Sequence, residues 1–243
     1  MYRFYLENAD FTKDRIVVSD RDELHHMKNV LRLKRGDRFR VFNGQHKEAE
    51  VVVEAVNDAS VEGRIQVIKQ TDALKIKIIL ACAVPKKAKF ESIIEKCTEL
   101  GVDEIIPLRT QRSDVIFSNE KLSLKQQRFS KVAINAAKQC KRGDIPKIAP
   151  MKGLKEVLEQ RDRASIAIFP CLVNDQQHIQ NALAPLKADQ TVYVFIGPEG
   201  DFTPQEVKMA QDNGCIPVSL GKTVLKVDTA AIAAVAFIRL LSD

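Results

Sequence analysis

The chain has 243 residues, 45% of them hydrophobic and 29% charged, a composition that reads as soluble and globular and suits one large or two small domains. No apolar run is long enough to cross a bilayer, and Met1–Tyr–Arg–Phe–Tyr–Leu–Glu7 lacks a signal peptide's apolar core, so a cytoplasmic protein is expected. Five scattered cysteines without a Cys-x-x-Cys pair argue against a disulfide framework and a zinc site, while a net charge of +6 hints at a polyanionic partner.

Residues up to about Gln70 read mainly as short strands. Asp37–Phe42 alternates polar and apolar residues, and Asn43–Gly44 signals a hairpin into a strand over Glu48–Val56. A further strand is expected over Val61–Ile68, after a turn at Asp58–Ala59–Ser60. Leu24, Met27, Val30 and Leu31 recur at helical spacing, which predicts one helix over Asp22–Leu33. A small β-barrel with one helix fits residues 1–70, and Lys69–Ala73 is the expected linker. The cationic residues cluster as Lys28 to Arg40, as Lys86, Lys87 and Lys89, and as Lys138, Lys141 and Arg142. Three such groups make RNA binding a reasonable expectation, although each alone suits a solvated face.

From Ile76 the pattern turns to strands alternating with helices, which indicates an α/β domain over residues 74–243. Strands are expected at Ile76–Val84, Glu104–Leu108, Ser165–Phe169, Val192–Ile196 and Ile216–Ser219. Helices are expected at Lys89–Leu100, Ser123–Lys138, Leu154–Gln160, Asp175–Leu183, Pro204–Asn213 and Thr229–Leu241. Gly101 suits the residue that closes the first of these. Thr203, Pro204 and Glu206 carry a capping-box signature. The last helix is apolar nearly all round, through Ala230, Ala231, Ile232, Ala233, Ala234, Val235, Ala236, Phe237 and Ile238. It belongs either wholly to the core or to the core and an interface together.

Two glycine-bearing loops follow strands close together in the chain, Gly197–Thr203 and Leu220–Lys226. They predict a binding site at the carboxyl edge of a parallel sheet. Neither a Gly-x-Gly-x-x-Gly fingerprint, a Walker loop nor a His-Glu-x-x-His cluster is present. Adjacent His25 and His26 would face different sides of a helix, so a metal site there is not expected.

The two segments Ile196–Gly–Pro–Glu–Gly–Asp–Phe–Thr203 and Leu220–Gly–Lys–Thr–Val–Leu–Lys–Val–Asp–Thr–Ala–Ala231 resemble the C-terminal signatures of the RsmE family. These are SPOUT-class methyltransferases that use S-adenosylmethionine to modify N3 of a uridine in 16S ribosomal RNA. Lys89–Val102, Ile106–Pro107 with Arg109–Ser113, Ala133–Arg142 and Ile145–Ile148 resemble the family's middle segments. His26, Val30–Arg32, Gly36–Asp37 and Val41–Gly44 resemble its N-terminal domain. The resemblance runs nearly end to end. It departs at Lys226–Val227–Asp228, where the family usually has Arg-Thr-Glu, and at Asp201, where it usually has Gly.

The resemblance implies a PUA-like RNA-binding barrel over 1–70 and a SPOUT domain over 74–243, with a parallel sheet, a C-terminal trefoil knot and dimerisation through it. It implies S-adenosylmethionine held by Ile196, Gly197, Pro198, Glu199 and Gly200, by Ser219, Leu220, Gly221, Val224 and Leu225, and by a third loop at Phe169–Pro170. The implied partners are 16S ribosomal RNA in the small subunit and a second copy of the chain, without membrane or metal. His26, Arg32, Arg35 and Arg142 are the candidate RNA contacts. Methyl transfer to uracil N3 requires the N3 proton to leave, so Asp228 is a candidate proton acceptor and Lys226 a candidate stabiliser of the developing anion. Asp228 equally suits the N-cap of the last helix. Arg112 matches a family arginine that would reach target base or phosphate across a dimer. The competing readings are a SPOUT methyltransferase for another RNA site and an inactive ribosome-assembly factor.

Overall fold

The computed structural model describes residues 1–85, 89–113, 119–173 and 175–242, leaving Lys86 and Lys87 of the second basic group outside the described residues. The chain divides into two compact units, Met1–Ala73 with Ala137–Ile145, and Leu74–Ala136 with Pro146–Asp243.

The first unit carries β1 (Tyr2–Tyr5), β2 (Arg15–Val18), α1 (Arg21–His25), β3 (Arg38–Phe42), β4 (Lys47–Val56) and β5 (Val61–Gln70). The strands form a mixed five-stranded sheet in the order β1-β3-β4-β5-β2, with β1 parallel to β3 and the other pairs antiparallel. The Asn43 side chain accepts from the backbone N–H groups of Gln45 and Lys47, fixing the expected hairpin between β3 and β4. Phe4, Met27, Phe39, Val41 and Val51 are fully buried and form the core.

The single helix expected over Asp22–Leu33 is instead α1, capped by Asp20, followed by a π-helical turn at His26–Val30. Arg32 then takes a left-handed conformation with φ 53°, and the Leu33 N–H bonds back to the Met27 carbonyl at 3.0 Å. The wide turn seats Met27 in the core and sets the His26 ring edge-on to Phe4 at 5.7 Å.

The second unit holds β6 (Lys77–Ala83), α2 (Lys89–Glu99), β7 (Glu104–Arg109), β8 (Lys147–Ile148), β9 (Lys152–Gly153), α4 (Leu154–Gln160) and β10 (Ile166–Pro170). It continues with β11 (Gln177–His178), α5 (Ile179–Leu183), β12 (Thr191–Ile196), α6 (Pro204–Asp212), β13 (Ile216–Ser219) and α7 (Val227–Ser242). Helix α3 (Asn119–Gln139) ends within the residues of the first unit. The sheet order is β11-β13-β10-β12-β6-β7-β8, with β9 also on β7, and every recorded pair is parallel. Ile78–Ala83 of β6 are all buried, the continuous apolar run of a strand covered on both faces.

The helix expected over Asp175–Leu183 begins only at Ile179, because Gln177 and His178 pair with Val218 and Ser219 at the sheet edge. His178 then caps α5 through its ring nitrogen. Helix α7 starts at Val227, two residues before the expected start. Its buried residues include Val227, Ala231, Ala234, Val235 and Ile238, whereas Ile232, Ala233, Ala236 and Phe237 are half-buried and Leu240 is exposed. Among the described residues no helix is long and apolar enough to cross a membrane.

Candidate active site

Strands β13, β10 and β12 are adjacent and parallel, so the loops that leave them emerge at one edge of the sheet. These loops, Cys171–Leu172, Gly197–Thr203 and Leu220–Lys226, enclose a cavity of about 360 Å³. That size is in the range of small-molecule sites. The sequence-predicted residues Ile196, Gly197, Pro198 and Glu199 line it from one side, and Ser219, Leu220, Gly221, Val224 and Leu225 from another. Pro170 supplies the third side, together with Cys171, Leu172 and Gln176.

Two predicted contacts fall elsewhere. Phe169 is buried behind the cavity wall, its ring 4.1 Å from Phe202 and 5.7 Å from Phe195. Gly200 is not among the lining residues, and its carbonyl accepts from the Arg112 guanidinium at 2.7 Å.

The first loop is tied down along its length. The Asp201 N–H closes a turn onto the Pro198 carbonyl at 2.9 Å. Gly197 is closely packed, since a Cβ there would lie 3.0 Å from the Phe202 ring and the ring would have to shift. At the loop's far end Thr203 and Glu206 form the predicted capping box of α6. Glu206 is buried, and while one carboxylate oxygen takes the Thr203 N–H and hydroxyl, the other accepts the Gln111 N–H at 2.8 Å. Arg112 donates to Gly200 O and to Phe202 O, so the segment after β7 is stitched to the first loop twice. Arg112 thus bonds its own chain's loop through Nη1, while the residue itself is exposed.

The second loop is exposed by contrast. Val224 is 75% accessible, and Lys222, Thr223 and Lys226 are exposed. Gly221 adopts φ 130°, closed to residues with a Cβ, and exchanges bonds with the Ser219 hydroxyl. Lys226 lines the cavity, and its carbonyl receives the Ala230 N–H at the start of α7. Asp228 therefore lies inside the first helical turn and is not the N-cap. Its carboxylate sits 3.6 Å from the Lys89 ammonium, and its Oδ1 is buried without a hydrogen-bond partner.

Two thiols report on the local field. Burial, with the Asp201 carboxylate adding, pushes Cys171 up to about 12. Cys82, fully buried in β6, is also held well above its ordinary value by burial first and then by Cys97, Glu199 and Asp228. Glu199 and Asp228 thus act electrostatically on the same buried thiol.

The candidate RNA contacts divide. Arg32 and Arg35 are exposed, with no ion-pair partner among the described residues. His26 is half-buried against Phe4. Arg142 is paired within its own segment. Its side chain is 7% exposed and makes a two-pronged pair with Asp144, 2.7 Å from Nε to Oδ1 and 2.6 Å from Nη2 to Oδ2, so its guanidinium is engaged within its own segment. Arg40 of the N-terminal basic stretch is likewise paired, to Glu48 and Glu50. Lys138 makes a bond of 2.6 Å to Glu23.

A family model for an RNA methyltransferase domain matches residues 72–239, more than half of the chain, and one for an RNA methyltransferase PUA domain matches residues 18–66. The ribosomal RNA small subunit methyltransferase E of Synechocystis is 30% identical over 222 residues, 91% of this chain and 72% of that protein. This chain belongs to the RsmE family of RNA methyltransferases. An RsmE relative from Mesomycoplasma hyopneumoniae is also 30% identical, over 96% of both chains. A putative methyltransferase from Legionella pneumophila, solved in complex with the bound cofactor SAM, superimposes with a TM-score of 0.89 at 29% identity over 98% of this chain and 97% of that one. The RsmE structure from Neisseria gonorrhoeae has a TM-score of 0.88 at 24% identity over 99% and 98%, and shares the fold.

The cavity suits S-adenosylmethionine by its chemistry. Its walls combine apolar Ile196, Val218, Leu220 and Val227 with the carboxylates of Glu199 and Asp201 and the ammonium groups of Lys222 and Lys226. That mixture matches a ligand with an apolar ring face, a sulfonium and an amino-acid zwitterion. Among the described residues no group of three His, Cys, Asp or Glu side chains is placed to hold a metal ion.

Proposed function

We propose that this protein methylates N3 of a uridine in 16S ribosomal RNA of the small subunit, taking the methyl group from S-adenosylmethionine. The observation that carries the reading is the cavity at the carboxyl edge of β13, β10 and β12, walled by the residues that match the family's two signatures. When bound there, S-adenosylmethionine supplies an electrophilic methyl group on a sulfonium.

The chain's own residues supply alignment and charge. The first loop gives a preformed wall and Lys226 a cation at the cavity, where it stabilises charge that develops on the uracil oxygens. Asp228 is the proton acceptor for N3–H. Its support is the unpartnered Oδ1 in the first turn of α7, two residues past Lys226 of the cavity lining, with the Lys89 ammonium 3.6 Å from the other oxygen. Arg112 and Glu206 act as positioning residues for the first loop. Arg32 and Arg35 hold RNA phosphates.

A homodimer belongs to this reading, supported by the half-exposed apolar stripe Ile232, Ala233, Ala236, Phe237 and Leu240 at i, i+1, i+4, i+5 and i+8 on α7. Trefoil-knotted threading of the C-terminal segment and a cytoplasmic location go with it. Light scattering on the purified protein is expected to give twice the 27.3 kDa chain mass.

The decisive experiment incubates the protein with small subunits from cells lacking it and S-adenosylmethionine, then maps 16S ribosomal RNA by mass spectrometry. One new N3-methyluridine is expected. A methyl group on another nucleotide would transfer the assignment to a different RNA site, a reading favoured by the Lys226–Val227–Asp228 departure. No methyl transfer, with binding to subunits retained, would make the protein an assembly factor.

A further inference from the structure

The first loop departs from ideal backbone geometry at one non-glycine residue. Asp201 has φ 60°, a left-handed conformation that side chains with a Cβ rarely adopt, though Asp and Asn tolerate it best. Both of its carboxylate oxygens are used locally. Oδ1 accepts the N–H of Phe202 at 2.8 Å, and Oδ2 accepts the N–H of Leu172 at 2.9 Å. Phe202 follows in the first loop, while Leu172 stands 29 residues earlier in the loop that leaves β10. Asp201 and Leu172 both line the cavity. The carboxylate is thus a bridge between two of its three walls. The Leu172 side chain is 61% exposed, so little apolar packing of its own anchors this residue. The raised Cys171 thiol marks the same carboxylate as a close neighbour of the third loop.

We infer that Asp201 is a positioning residue for the cofactor, which sets the width of the cavity by holding the loop after β10 against the loop after β12. The inference rests on the proposed S-adenosylmethionine site. A backbone N–H bonded to an ionised carboxylate is held more firmly than one bonded to water or to a neutral acceptor. With the bridge in place the wall formed by Cys171 and Leu172 is ordered before the ligand arrives, so binding does not bear the cost of ordering it. The left-handed backbone at Asp201 has its explanation here, since that conformation lets one side chain meet the next residue's N–H and an N–H from a different strand's loop.

The test compares Asp201→Gly and Asp201→Asn with the wild-type full-length protein. Glycine takes φ 60° without strain and is the residue the family resemblance expects, so this variant folds and lacks only the carboxylate. Asparagine also tolerates the conformation but has one acceptor oxygen, so its amide group must set a donor against one of the two N–H groups. Hydrogen exchange is read at the Leu172 amide, and calorimetry measures S-adenosylmethionine affinity. Asp201→Gly is expected to exchange at Leu172 about tenfold faster and to bind S-adenosylmethionine about tenfold more weakly, with KM for it raised and kcat nearly unchanged. Asp201→Asn should fall between Gly and wild type in both measurements. Unaltered exchange at Leu172 in Asp201→Gly would overturn the bridge. Altered exchange with unaltered affinity would reduce Asp201 to a stability residue. If the wild-type protein binds no S-adenosylmethionine, the positioning role falls with the proposed function, while the exchange rates still show whether the bridge exists.

Discussion

The two signature loops enclose one cavity but are held in opposite ways. Gly197–Thr203 is bound by the capping box, by Gln111 and Arg112 from the segment after β7, by the Phe202 ring packed on Gly197, and by Asp201 reaching the third loop. Leu220–Lys226 has the Ser219–Gly221 exchange and the first bond of α7, and most of its side chains are exposed. One wall is restrained at many points, and the other carries few restraints. Few buried contacts and exposed backbone are the features of segments that move on binding. The difference suits a transferase, in which the donor needs a fixed seat while the acceptor base needs a gate beside it.

The largest effect is expected on the exposed loop. Lys226→Met should slow turnover about 10²- to 10³-fold and leave S-adenosylmethionine affinity nearly intact, because the ammonium meets charge that exists only in the transition state. Steady-state kinetics with small subunits, beside calorimetry with the cofactor, checks this. Full turnover in Lys226→Met would leave the second loop without a chemical role and end the contrast between seat and gate.

Glu206→Ala should do the reverse. The buried Thr203 N–H and the part-buried Gln111 N–H lose their acceptor, while the Thr203 hydroxyl keeps Gln111 Oε1 at 3.1 Å, so the change should cost about 1–3 kcal/mol of stability and lower the melting temperature. If melting is unchanged, the first loop is not stitched as strongly as its bonds suggest.

Gly197→Ala and Gly200→Ala separate packing from ligand approach. The first forces a methyl group against the Phe202 ring and should cost about 1–3 kcal/mol in a thermal melt. At Gly200 the added Cβ would meet the Arg112 Cδ at 3.5 Å and Cβ at 3.8 Å, ordinary contacts, so stability should hold. A loss of cofactor affinity in Gly200→Ala would then show that the ligand's approach extends past the cavity wall to the loop's tip.

The smallest change concerns thiols. Cys140 is exposed, whereas burial raises Cys97 and Cys171 to about 12 and Cys215 to about 11, and holds Cys82 higher than its ordinary value. Near pH 8 the folded protein should release one thiol rapidly to Ellman's reagent and the other four only on unfolding. Unfolded thiols titrate near 8.5, below their folded values, so the buried cysteines do not weaken the fold at neutral pH. They do so as pH rises through about 9 to 11, where the unfolded chain ionises and the folded one does not. Rapid reaction of Cys171 would show that the wall at the third loop opens in solution.

Local pattern was enough for much of this architecture. The apolar run Val192–Ile196, the capping box at Thr203 and the glycine at position 101 each report an interaction within a few residues, and each stands where the sequence places it. What escaped depends on distant partners. The Asp175–Leu183 helix loses its start because β13, from much later in the chain, competes for Gln177 and His178. Arg142 reads as one of a basic triplet but is claimed by Asp144. Asp228 has the composition of a helix cap, yet α7 begins one residue before it. Asp201 gave no catalytic signal, because its importance lies in an amide 29 residues earlier that no local spacing reveals.

The first unit is not one continuous stretch of chain, and this matters for how the protein is made. Arg3 donates to the carbonyls of Ala137 and Arg142, and Glu23 pairs with Lys138, so the N-terminal sheet draws on partners that emerge from the ribosome more than a hundred residues after it. Until Arg142 has been synthesised, Arg3 and Glu23 lack part of this set, and a fragment cut at Ala73 would carry the full deficit permanently. Completion of the domain translated first is therefore timed by the arrival of the end of α3, which makes the newborn chain wait for its own middle before its first part can close.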